Sequence, residues 1–182
     1  VSLGAPHGRD NRVRSLTAVS TYRPGDTVSL VWVFGERRTR ARRITDSDYS
    51  ALDILSTRYD DHYEQTSNEV RATGRWARVA YVAGLTAMRE DAASNRVATA
   101  GPDAPRFGLA PAYASAPLNA RQTTRTEAAY LSADVDVVPR MVLNLGIRVN
   151  HERRRLRFDL DGSRSGGFDI GMLTNFRDGE SE

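Results

Sequence analysis

Cysteine is absent from these 182 residues, which excludes disulfides and thiolate metal sites and is compatible with an oxidising compartment. Lysine is absent as well: all 26 basic residues are arginine. No stretch approaches the ~18 consecutive apolar residues of a membrane-spanning helix. A helical membrane protein is thereby excluded. A membrane β-barrel is not, because half of its strand residues face water and its mean hydropathy stays low.

Chemical motifs are also missing. There is no Gly-x-Ser-x-Gly elbow and no phosphate-binding glycine loop, so nothing points to an enzyme. His7, His62 and His151 lie far apart and near strand ends or loops, as solvated histidines do, and no metal or cofactor is expected. "DSD" (46–48) and "DLDG" (159–162) begin like calcium loops, yet the remaining ligands do not follow. "YDDHYE" (59–64) would suit a divalent ion or a lipopolysaccharide contact, but a solvated acidic loop is the simpler reading. The arginine clusters "GERRTRARR" and "HERRRLR" have no recognition motif beside them; they read as solvated strand ends, with no nucleic-acid partner.

What the chain has is alternation. In "PRMVLNLGIRVNHE" (139–152) Met141, Leu143, Leu145, Ile147 and Val149 fall on every second position, with mostly polar or small residues between them. Five more segments read the same way. In 126–138 Ala129, Leu131, Ala133, Val135 and Val137 oppose Tyr130, Ser132, Asp134 and Asp136. In 77–89 the apolar set is Val79, Tyr81, Ala83, Leu85 and Ala87. In 27–35 it is Val28, Leu30, Trp32 and Phe34. The more polar 64–74 offers Val70 and Ala72, and 12–22 offers Leu16, Ala18 and Tyr22.

Paired antiparallel residues point to the same face, so the parity of the apolar positions fixes each turn length. Both strands of the first hairpin are even and "PGD" (24–26) supplies an odd turn; both strands of the third are odd and "VPR" (138–140) does the same. In the second hairpin parity switches and "GR" (74–75) supplies two residues, with Gly74 suited to the first position of a II′ turn. Three agreements arise by chance in about one case in eight. The remaining connections are long, near 36–62, 90–125 and 153–182, and "GPDAPRFGLAPAYASAPLNA" (101–120) reads as an extended mobile loop. Short turns at one end and long loops at the other favour lipid over a protein core around the apolar face. The expected fold is all-β: an up-and-down antiparallel meander of about six strands, a segment of a transmembrane outer-membrane barrel occupying 1–182. The start at Val1 and the end in "RDGESE" lead to the expectation of a fragment.

The stretch "YEQTSNEVRATGRWARVAYVAGLTAMRED" resembles the barrel of TonB-dependent outer-membrane receptors, through Ser67, Glu69, Val70 and Arg71 and then Val82, Ala83, Gly84 and Leu85. Leu143, Gly146, Ile147 and Arg148 resemble the next periplasmic hairpin of that family. The resemblance implies the central part of a barrel of about 22 strands, importing a scarce nutrient such as a ferric siderophore. Its implied partners are outer-membrane lipid, a plug domain of the same chain, a TonB-type energy-coupling protein and a small nutrient or metal chelate. It further implies that Glu69, Arg71, Arg78, Asp134 and Asp136 are lumen charges or plug contacts, the last four near the short turns, while Tyr130, Arg148 and Asn150 lie nearer the long loops and the substrate. A passive porin, a small structural barrel and a soluble β-sandwich binding module stay open as alternatives.

Overall fold

The computed structural model describes residues 4, 7–109 and 111–163. Six strands follow one another: β1 (Gly8–Tyr22), β2 (Val28–Asp46), β3 (Leu55–Trp76), β4 (Val79–Ala100), β5 (Ser115–Val138) and β6 (Met141–Leu160). They form one antiparallel sheet in sequence order, and among the described residues the only helical element is a 3-10 turn at Ala104–Phe107. Among the described residues no helix is long and apolar enough to cross a membrane.

The expected alternation sets the faces. Trp32 pairs with Val70, Val70 with Leu85, Leu85 with Ala129, and Ala129 with Val149, so five strands contribute to one apolar row. The next row towards the short turns joins Leu30, Ala72, Ala83, Leu131 and Ile147. On this face Leu85, Ile147 and Val149 are each more than 60% exposed, whereas Gly84, Thr124 and Ala128 on the opposite face are buried. That asymmetry identifies a curled sheet, convex on the apolar side and concave on the polar side. The concave face has neighbouring strands leaning over it; the convex face has none.

Residues 36–46, 55–62, 90–100 and 115–125, expected in long loops, are instead strand. Glu36, Arg38 and Arg40 point to the convex side and Arg37, Thr39 and Ala41 to the concave side, so both faces are solvated. A strand wet on both sides has no hydropathy period, and it is held by its ladder and by polar contacts between side chains on neighbouring strands. The loops that remain are 47–54 and 101–114, and the expected loop from 153 begins only after Leu160; 164–182 lie outside the described residues.

The second turn is displaced. Trp76 pairs with Val79, so the turn is Ala77–Arg78, three residues beyond the expected Gly74–Arg75, with parity unchanged. Ala77 occupies its first position at φ 52°. Gly74 serves a different purpose: it pairs with Tyr81, whose phenol lies where a Cβ would stand. The body of the third hairpin has the expected register, Leu131 with Ile147 and Val135 with Leu143, and a bulge between Asp136 and Val138 shortens its turn to Pro139–Arg140. Proline followed by Arg140 at φ 72° is the pattern of a type II turn.

The two loops are tied together at the far end. Gly101 N–H donates to Ile54 O at 2.8 Å, Asp103 N–H to Asp53 O at 3.0 Å, and Asp53 N–H to the Asp103 carboxylate at 3.0 Å. Ala100, Ala104 and Ala114 form a small buried cluster with Ile54 against it. The expected mobile loop 101–120 is thus a folded loop at 101–114 followed by strand.

Candidate functional site

The concave wall carries two clusters of polar side chains. Its lower cluster is organised around Gly84, which pairs with both Arg71 and Tyr130. The Tyr130 ring lies across Gly84, and a Cβ there would collide with the phenol. This lets Tyr130 reach over β4 and donate to Glu69 Oε1 on β3 at 2.6 Å. Arg71 Nη1 stands 3.9 Å from the same carboxylate oxygen, a weaker contact, and Arg71 Nε is buried without a partner. Arg148 holds its guanidinium 6.0 Å from the Tyr130 ring centroid and donates from Nε to Asn150 Oδ1 at 2.8 Å. Glu69, Arg71, Tyr130, Arg148 and Asn150 therefore form one chain of contacts across four strands.

Two expectations about these residues change. Tyr130 and Arg148 were expected nearer the long loops than Arg71, but the upper strand halves leave all three in one row with Gly84, nearer the short turns, with Glu69 one row above. Arg78 does not face the lumen from a strand; it is a turn residue whose carbonyl accepts from Asp136 N–H at 2.9 Å. Arg71 faces Gly84 across the β3–β4 ladder. Asp136 pairs with Arg75 Nη2 at 2.5 Å, and Asp134 accepts from Asn144 Nδ2 at 2.5 Å. Both carboxylates are thus engaged close to the turns.

An upper cluster was missed, because its residues had been assigned to loops. Tyr59 sits between two guanidinium groups, Arg43 at 4.2 Å and Arg96 at 5.3 Å from its ring centroid. Ser94 Oγ donates to Asp61 at 2.6 Å and Tyr63 donates to Glu90. Beside them is a shallow hollow of about 450 Å³, lined by Asp61, Tyr63, Ala92, Ala120, Leu156 and Phe158 among others. The signal that could have found it is the run of aromatic and charged residues at odd positions 59, 61 and 63, already in strand period.

"DSD" proves to be loop scaffolding. Asp46 accepts from the N–H groups of Asp48 and Tyr49, and Asp48 accepts from those of Ser50, Ile54 and Leu55 and from the Ser50 hydroxyl. Burial pushes the Asp48 carboxyl up, but the hydrogen bonds from Ser50, Leu55 and Ile54 outweigh it and hold the group below the usual carboxylate value. Among the described residues no group of acids and histidines is placed to hold a metal ion.

No protein-family model and no curated protein matches the chain. Among solved structures, the chain is similar to the ferric yersiniabactin uptake receptor FyuA from Yersinia pestis, with a TM-score of 0.74 and 17% identity over 96% of this chain. It spans 24% of that receptor's length. The likeness shows the fold alone: an all-β antiparallel meander shared with part of that structure.

Proposed function

We propose that this chain is part of the barrel wall of an outer-membrane active transporter of the TonB-dependent receptor type, and not an enzyme. In this reading it imports a scarce nutrient such as a ferric siderophore. The observation that carries the reading is the two-faced lower sheet on a fold similar to an uptake receptor. The convex apolar positions from Met141 to Val149 cover roughly 27 Å of strand at ~3.4 Å per residue. A tilt of 35–45° reduces that to about 20 Å, close to the ~25 Å apolar band of outer-membrane barrels. Such a band wants lipid, and the opposed polar chain from Glu69 to Asn150 wants a wet lumen.

Within that reading the lower cluster contacts the plug domain, because Glu69, Arg71, Asp134 and Asp136 sit close to the short turns. Substrate contact moves upward from the expected Tyr130, Arg148 and Asn150 to the Arg43–Tyr59–Arg96 group, where two cations flank an aromatic ring below the loops. Energy comes through a plug and a TonB-type coupling protein. In cells carrying the whole protein, dissipating the inner-membrane proton gradient is expected to stop accumulation of a radiolabelled ferric chelate while surface binding persists. Uptake unchanged without the gradient would favour a passive porin.

A further inference from the structure

We propose that the convex face of β4–β6, just above the apolar band, binds the phosphorylated headgroup of an outer-leaflet lipid whose acyl chains lie on the band below; this rests on the membrane-barrel reading. Arg89 pairs with Arg125 and Arg125 pairs with Arg153, so three guanidinium groups stand side by side on adjacent strands. Like charges directly opposite one another repel. With strands ~4.8 Å apart, the row is about 10 Å wide, the scale of a sugar carrying phosphates. One row higher stand Asp91, Thr123 and Arg155. Arg89, Thr123, Arg125, Arg153 and Arg155, with Arg154 at the edge, line a hollow of about 220 Å³.

On β2–β3 the arginines of the same belt have partners within the sheet. There Arg38 Nη2 meets Glu36 at 2.7 Å, Arg42 meets Asp60 at 3.3 Å, and Arg40 bonds the His62 ring at 2.9 Å. On β4–β6 Asp91 is engaged by Arg89 Nε at 2.7 Å and by the Thr123 hydroxyl at 2.7 Å, and Glu152 by Arg154 Nη2 at 2.9 Å. Among the described residues no carboxylate pairs with Arg125 or Arg153. Guanidinium groups match phosphate oxygens in a two-pronged geometry, which makes a phosphate ester the complementary anion.

Position selects a lipid. Beneath the arginines runs a largely apolar groove of about 480 Å³, lined by Val70, Leu85, Ala129 and Val149, with Glu127 and His151 at its upper end. An anion-binding row directly above an apolar groove on one continuous face fits a molecule with phosphates at one end and acyl chains at the other.

The test uses the whole protein in mixed micelles, with bis-phosphorylated lipid A as the probe and retention in native mass spectrometry as the readout. The paired substitution Arg125→Ser and Arg153→Ser is expected to weaken binding about tenfold or more, the scale of losing charge-assisted bonds. Arg38→Ser with Arg40→Ser is expected to change it less than about twofold, since exposed paired arginines contribute little. Dephosphorylated lipid is expected to bind the unaltered protein as weakly as the phosphorylated lipid binds the first variant. Equal affinity of the Arg125/Arg153 variant, an equal loss in the control, or equal competition by inorganic phosphate at the same concentration would overturn the headgroup site. A nitroxide on Leu145→Cys reports the underlying reading separately. A label accessible to oxygen in the acyl region beside unchanged lipid affinity overturns the site alone. A label in water overturns the membrane reading with it.

Discussion

The lower and upper halves of the sheet share strands, ladders and register, yet they keep together differently. Below, Trp32, Val70, Leu85, Ala129 and Val149 turn an apolar row outward while Glu69, Arg71 and Tyr130 turn inward. Above, residues such as Arg38 and Glu64 face outward while Arg37, Gln65 and Glu90 face inward. On the proposed membrane reading, the lower half is stabilised by what surrounds it and the upper half by its own hydrogen bonds. The same substitution should therefore have different consequences a few residues apart.

The largest expected effect is at the centre of the band. Leu145→Arg should destabilise the inserted whole protein by roughly 2–4 kcal/mol, against about 0.5 kcal/mol or less for Asn119→Arg on the upper convex face. Equilibrium urea unfolding in lipid vesicles measures both, and equal costs would erase the distinction between the halves. Gly84→Ala should cost roughly 1–3 kcal/mol by overpacking against the Tyr130 ring, and Tyr130→Ala in the same chain should recover part of it. Tyr130→Phe removes only the hydroxyl and should cost about 1–2 kcal/mol, because the Glu69 carboxylate loses a charge-assisted donor.

The loop end should respond to acid. The Asp48 carboxyl is lower in the folded loop than its ordinary value of 3.8. Its contribution is therefore complete above that value and is lost as pH falls towards the folded one. Amide exchange at Ile54 and Leu55 should quicken, relative to the intrinsic rate, as pH falls below about 4. In Asp48→Asn that pH dependence should be gone. The smallest effect is a gain: Ala77→Gly, at φ 52°, should stabilise the hairpin by about 0.5–1 kcal/mol in the same urea assay.

Alternation in hydropathy made the lower half legible before any coordinates, down to Leu131 facing Ile147. It was blind to the upper half for a physical reason: when Arg38 and Arg37 both meet water, no period remains to be read. Gly74 misled because a glycine beside an arginine satisfies turn chemistry, while its actual purpose, room for Tyr81, depends on a strand not yet placed. The Tyr130–Glu69 bond likewise requires three strands in register at once, which local sequence does not encode.

The clasp between loops 47–54 and 101–114 makes the rim a bracket more than a lid. Its cross-links join Gly101 to Ile54 and Asp53 to Asp103, so neither loop can swing without the other. A solute landing there would meet a preset surface and would incur little ordering entropy. The exposed tip around Phe107 and Leu109 lies outside the clasp. An epitope or affinity tag grafted at that tip would be displayed on a firm mount, with the strands beneath left undisturbed.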